Sequence, residues 1–163
     1  MSETGRLIAD LIEGLLADGV DADMLARAEE GAVPADLWSA LEANGLTAML
    51  AEGPEAEIGW RDAFIVVAAA GRHSLPLPLA ESIGGTALLA MTGLDVPEGP
   101  VTIAPWSPDN RLALHRKADG WRADGAIARV PWGRFARHVV VDAAHEGETR
   151  IARIDLTRGR FEP

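Results

Sequence analysis

Residues 60–82 have the sequence WRDAFIVVAAAGRHSLPLPLAES, and this stretch decides the architecture that the chain predicts. Residues 60–71 are apolar nearly all round, which indicates a helix that is buried on several sides. The β-branched Ile65, Val66 and Val67 would also suit a strand, but the alanines and the length of the run favour a helix.

A double-proline segment follows this predicted helix. Pro76 and Pro78 fix an extended backbone and prevent a helix from starting before Leu79. From Leu79 to Met91 the apolar residues return to helical spacing, despite two glycines in the middle. We therefore predict two helices on either side of a sharp break.

Three more helices are predicted before this stretch, over residues 7–19, 21–30 and 34–45. In the first, leucines and isoleucines recur three and four residues apart, Ser2 or Thr4 suits the N-cap, and Gly19 ends the pattern. Pro34 suits the first position of the third helix, and the Asn44-Gly45 pair is a good left-handed cap for its end.

After Leu94 the pattern changes to short alternating runs that are typical of strands. Asp119-Gly120 and Asp124-Gly125 are turn signals between them. The predicted strands cover residues 101–104, 112–116, 121–123, 127–130, 138–141 and 151–156. We thus predict an α+β fold, with an all-α helical domain over residues 1–96 and a small antiparallel β domain over residues 100–163.

Composition and charge exclude several classes of protein. The 163 residues are 48% hydrophobic, include no cysteine and carry a formal charge of −10, which allows a packed core and excludes disulfide scaffolds and thiolate chemistry. Residues 1–99 hold 17 acidic and 4 basic residues, so we expect no nucleic-acid partner there, whereas residues 100–163 are mildly basic and suit an anionic ligand. No apolar run is long enough for a membrane span and the N-terminus is acidic, so we expect a cytoplasmic protein without membrane contact.

Catalytic and metal-binding motifs are largely absent. The chain has no phosphate-binding glycine loop, no G-x-S-x-G and no H-E-x-x-H, and its four histidines lack metal-ligand spacing, so we expect no metal site. We interpret Glu81 as a first-turn glutamate that the helix dipole favours. Trp38 and Trp60 are expected to pack in the core. Trp106 and Trp132 flank turn-like prolines, where they either border a planar ligand or pack on the sheet.

Five segments, taken in order, resemble acyl-CoA dehydrogenases. The helical ones match the family's L-W-x-x-L-x-x-x-G-L element and its G-R-x-x-x-P-x-P-L-A-E pattern, and the later ones look like the G-W-x-x-x-G hairpin and the A-D-x-x-V-V strand of its middle β domain. The segments are residues 37–46 (LWSALEANGL), 60–64 (WRDAF), 70–82 (AGRHSLPLPLAES), 120–125 (GWRADG) and 136–141 (ARHVVV). The resemblance extends over about residues 5–156.

This resemblance implies a flavoprotein that uses FAD to oxidise an acyl-CoA thioester to its 2,3-enoyl form. In such an enzyme a carboxylate removes the α-proton while a hydride passes from the β-carbon to the flavin. The family's C-terminal helical bundle supplies that base, so we expect the base outside residues 1–163 and assign no catalytic residue in this chain. The implied assembly is a homo- or hetero-oligomer in which another chain or segment supplies the bundle.

The resemblance also places the cofactor-binding residues, at Pro105, Trp106, Val130 and Trp132. The family's L-T-E-P run falls on residues 102–105 (TIAP), which keep the proline but lack the flavin-bonding hydroxyl, and Asp109 corresponds to the aspartate of its G-S-D. Its W-I-T strand falls on residues 129–131 (RVP), where Trp132 offers a substitute indole and the main chain can still bond the flavin.

These departures leave a second hypothesis open. Loss of the flavin-contacting side chains at Ile103, Ala104 and Pro131 is also what a non-catalytic binding or assembly subunit with the dehydrogenase fold would show. Under either hypothesis a helical domain without its usual neighbour exposes apolar helix faces, which favours association.

Overall fold

The computed structural model describes residues 2–53, 56–107, 111–118 and 120–158, and within these ranges helices precede strands. The helices are α1 (Glu3–Gly19), α2 (Ala22–Glu29), α3 (Ala35–Ala43), α4 (Trp60–Arg72) and α5 (Leu79–Met91). The strands are β1 (Val101–Ile103), β2 (Arg111–Lys117), β3 (Gly120–Ala126), β4 (His138–His145) and β5 (Glu148–Asp155), before a 3₁₀ turn at Leu156–Arg158. The predicted α+β class is confirmed. No helix in the described ranges is long and apolar enough to cross a bilayer.

The helix ends follow the capping residues of the sequence. The Ser2 hydroxyl accepts a hydrogen bond from the Gly5 N–H at 2.9 Å and begins α1, and the Asp21 carboxylate does the same for α2 at 2.7 Å. After α3, Gly45 takes a φ of +71°, which allows the last carbonyls of the helix to be bonded by the following N–H groups.

The helical core forms around α1, which packs against α3 and α4. Ile12, Leu16, Leu41 and Val66 are fully buried there. At its edge, the Glu13 carboxylate accepts hydrogen bonds from the Arg72 guanidinium and from His73 Nε2, the latter at 2.9 Å. These hydrogen bonds, that from Arg72 first, hold the pKa of Glu13 below its usual value. They tie the end of α4 to α1.

The helices meet the sheet where α5 packs on β1. A Cβ added at Gly85 would lie 2.7 Å from Val101 Cγ1, so the two glycines of α5 allow the helix to approach the strand closely. The Ser82 hydroxyl donates to the Val101 carbonyl at 2.8 Å and accepts from the Val101 N–H at 3.1 Å. Because Ser82 is buried, this junction fixes β1 against α5.

The sheet is mixed rather than purely antiparallel, which corrects the predicted topology. β5 runs antiparallel along one edge of β4. On the other edge of β4, β1 pairs in parallel with the first residues of β4. Further along the same edge, β2 also pairs in parallel with β4, where Ala113 of β2 lies beside Ala144 of β4. The hairpin of β2 and β3 is antiparallel, and its predicted turn residue Asp119 lies outside the described residues. Parallel pairing arises because the connections into β4 cross over instead of turning back.

Two further sequence predictions in the β part were wrong. Residues 127–130 form no strand. The pairing of β3 with β2 ends at Ala126, which lies opposite Arg111, the first residue of β2, and Arg129 has a φ of +55° that does not fit a strand. Asp124-Gly125 is not a turn, since both residues pair with β2 inside β3. In these two places the tertiary structure overrides the local strand signal and the local turn signal, respectively.

The prediction that α4 is covered on several sides, with Trp60 in the core, was also wrong. The Trp60 side chain is 63% exposed and Phe64 72% exposed, whereas Trp38 is buried as expected. Ala63, Val66 and Ala69 form the buried face of α4. The helix therefore leaves an apolar stripe on its other side.

Candidate functional site

The candidate site lies where the end of β1 meets the loop of residues 127–137. Thr102 is fully buried, and its hydroxyl donates to the carbonyl oxygen of Pro131 at 2.7 Å. The Arg137 N–H donates to the Pro100 carbonyl at 2.8 Å, just before β1. The loop is thus fastened to β1 at both its middle and its end. Side chains alternate along β1, so Thr102 faces away from α5.

A tight turn fixes the tip of this loop. The carbonyl oxygen of Trp132 accepts hydrogen bonds from the N–H groups of Phe135 and Ala136, both at 2.8 Å. Trp132 has a φ of +55°, as does Arg129 three residues earlier. A bulky residue in this left-handed region costs about 1–2 kcal/mol, and such strain is concentrated at binding sites and switch regions. The backbone here therefore points to a functional loop.

The structure places the four residues assigned from the resemblance in two neighbouring segments. Pro105 and Trp106 follow β1 and are exposed, with the Trp106 indole 77% accessible. Val130 is half-buried and packs in the same apolar cluster as Ala104, and Trp132 is 39% exposed. Asp109 lies outside the described residues. Their roles as cofactor ligands stay predictions.

Phe135 connects the loop to the helices. Its ring meets the buried Trp38 ring of α3 edge to face, with centroids 5.8 Å apart. Sequence reasoning did not assign Phe135 or Thr102 to the site, because their partners Trp38 and Pro131 are distant in the chain. The one local signal for Thr102 was the alternation along the strand. It places the Thr102 side chain on the opposite face from Val101 and Ile103, which face α5.

The positive charge of the second part of the chain extends to this loop, which carries Arg129, Arg134 and Arg137. His138 follows directly, is buried, and its Nδ1 has no hydrogen-bond partner among the described residues. Burial first, and then the nearby Arg153 charge, lower the pKa of His138 below its usual value. The neutral imidazole is therefore favoured beside the loop.

In chemical terms the site offers indole surface, guanidinium groups and main-chain groups. This set suits the binding of a planar, negatively charged molecule. Glu81 lies in the first turn of α5, as the sequence predicted, and not at this loop. Within the described ranges no three His, Asp or Glu side chains come together as a metal site would require.

No protein-family model matches the chain, and no curated protein matches it either. Solved structures do share its fold. A variant of the Tcur3481-Tcur3483 steroid ACAD, an acyl-CoA dehydrogenase, superposes with a TM-score of 0.65 and 22% identity over 94% of this chain. The ChsE4-ChsE5 complex from Mycobacterium tuberculosis gives a TM-score of 0.68 and 15% identity over 95% of this chain. The chain spans 48% of the length of each of those chains and has the acyl-CoA dehydrogenase fold over that length.

Proposed function

We propose that this chain is one part of an acyl-CoA dehydrogenase-like oxidoreductase and contributes one side of its FAD site. The observation that supports this most is the Thr102–Pro131 hydrogen bond. It joins β1 to the loop before β4, within the two segments, residues 102–105 and 129–131, that the family resemblance assigns to the flavin. The fold shared with the steroid ACAD chain supports the same reaction class.

The residues present fit a planar ring through their apolar surface. The exposed indoles of Trp106 and Trp132 and the half-buried Val130 would hold the isoalloxazine ring of FAD. The Thr102 hydroxyl does not contribute, because it is already bonded to Pro131, and Ile103 stands where the family has a hydroxyl. Hydrogen bonds to the ring would come from main-chain groups, which do not depend on side-chain identity.

The proposed substrate is an acyl-CoA thioester. FAD, when bound, supplies the chemistry of accepting the hydride that such a thioester loses from its β-carbon. This chain positions the ring and shields one side of it from water. We propose that a helical bundle supplied by another chain or segment carries the carboxylate that removes the α-proton. That the ChsE4-ChsE5 neighbour is a complex supports an assembly of this kind.

Titration of FAD into variants with single tryptophan replacements tests the proposal. The chain is produced together with the product of the adjacent gene, and flavin binding is followed by absorbance and tryptophan quenching. Loss of one indole stack costs about 1 kcal/mol, so Trp106→Ala and Trp132→Ala should each weaken FAD binding about fivefold. Trp121, on β3 and 54% exposed, provides the matched control, and Trp121→Ala should leave the affinity unchanged.

Two results would contradict this function. Equal FAD affinity in all three variants would remove these indoles from the site. A complex that binds no flavin at any concentration would instead support the non-catalytic assembly subunit.

A further inference from the structure

An open groove of about 830 Å³ lies between α1, α2 and α3, away from the proposed flavin site. Its floor is apolar and includes Leu11, Leu15, Val33 and Leu37. Leu11 is 37% exposed and Val33 46% exposed, and Leu7, one turn before Leu11 on α1, is 66% exposed. Leu7, Leu11 and Leu15 thus form one row at four-residue spacing, in which Leu7 and Leu11 are exposed and Leu15 is half-buried against the helical core.

Carboxylates surround this apolar floor. Asp10, Asp18, Asp21 and Asp36 line the groove, and all four residues are exposed. Of the described residues, Arg27 is the one cation that lines it, and it is already paired with a carboxylate of its own helix at 3.2 Å. Among the described residues Asp10, Asp18 and Asp36 have no ion pair. We call this feature the acidic groove.

We propose that the acidic groove binds an amphipathic helix of another protein, one with an apolar stripe flanked by arginine or lysine. Binding of an amphipathic helix, with its apolar face in an apolar groove, is a common mode of protein recognition. The basic flanks would pair with the exposed carboxylates that line the groove. α1 has 17 residues and is about 25 Å long, which is enough for several turns of the partner helix.

A second copy of this chain fits the groove poorly. The groove requires a basic helix, but residues 1–99, which contain all five helices of the described chain, hold only 4 arginines against 17 acidic residues. The helix with an exposed apolar stripe, α4, carries Arg61 beside Asp62, and its other arginine, Arg72, is already paired with Glu13. Charge complementarity therefore favours a different protein as the occupant.

Gly14 provides a way to close the groove without disturbing the free protein. It lines the groove on α1, and a Cβ added there would meet no atom within 4 Å. Gly14→Leu therefore fills the groove and also removes a helix-weakening glycine. Gly71, on α4, is equally open, so Gly71→Leu is the matched control on the other apolar surface.

The test uses a fluorescent peptide of about 18 residues, long enough to form a helix, with leucines at positions i, i+3, i+4 and i+7 and arginines beside them. A second peptide carries glutamates instead of the arginines. Binding to the full chain is measured by anisotropy. We expect saturable binding of the arginine peptide alone, about tenfold weaker in Gly14→Leu and unchanged in Gly71→Leu. Replacing Asp18 and Asp36 by Asn should weaken binding about threefold at low salt, a difference that disappears at about 0.5 M salt.

Several results would overturn the proposal, and none depends on flavin binding. The first is that the arginine peptide shows no saturable binding up to about 100 µM. The second is that the glutamate peptide binds as tightly as the arginine peptide. The third is that Gly71→Leu weakens binding as much as Gly14→Leu does. Self-association that Gly14→Leu abolishes, measured by sedimentation, would make a second copy the occupant and would also contradict it.

Discussion

Two side-chain hydroxyls bind β1 to its surroundings, and they do so in opposite ways. Ser82 of α5 makes two hydrogen bonds to the Val101 backbone in a fully packed junction, with glycines that admit the strand. Thr102 makes one hydrogen bond to Pro131 in a loop with left-handed residues and exposed indoles. The difference indicates that the helix side of β1 serves stability, whereas its other side holds the strained, partly exposed surface for which we propose ligand binding.

The largest effect is expected from breaking the junction at Ser82. Ser82→Ala leaves the buried N–H and carbonyl of Val101 without their partner, and each such group costs about 1–3 kcal/mol, so we expect a loss of about 2–4 kcal/mol in the free energy of unfolding. Urea denaturation measures this. Ser39→Ala is the control, because the Ser39 hydroxyl bonds its own exposed helix, and it should change stability by less than about 0.5 kcal/mol. Equal effects in the two variants would contradict a special role for the junction.

A smaller loss of stability, joined to a loss of binding, is expected at Thr102. Thr102→Val keeps the shape of the side chain but removes one hydrogen bond, which should cost about 1 kcal/mol. Because the middle of the loop is then no longer tied to β1, FAD affinity in the complex should fall about fivefold as well. Unfolding curves and FAD titrations on the same samples measure both. If Thr102→Val loses stability while FAD binding stays intact, the bond supports the fold alone.

The contrast between these regions also explains what the sequence could predict. The bounds of α5 follow from the break at Pro76 and Pro78 and from the apolar spacing up to Met91, so the predicted range of residues 79–91 is the observed one. The five helices and most strands likewise follow from local patterns. The junction at Ser82 did not, because its partner lies 19 residues away on another element.

The errors lie where tertiary contacts determine the outcome. The loop after Ala126 has strand-like residues, but its path is determined by the Thr102 bond and by left-handed backbone at Arg129. Trp60 has core spacing, but periodicity does not reveal which helix face a neighbour covers. Mixed pairing in the sheet depends on how long connections cross, which short turn signals do not encode.

The smallest expected effect separates strain from binding at Trp132. At a φ of +55° glycine has no steric cost, so Trp132→Gly should be more stable than Trp132→Ala by about 1 kcal/mol, although both lose the indole and should bind FAD equally weakly. Ser74, at the end of α4, has a φ of +53° and lies outside the proposed site, so Ser74→Gly and Ser74→Ala should differ by the same amount in thermal unfolding without changing FAD affinity. If Trp132→Gly binds FAD as tightly as the unchanged chain, the indole serves only to shape the loop, and the proposed flavin surface reduces to Trp106, Val130 and the main chain.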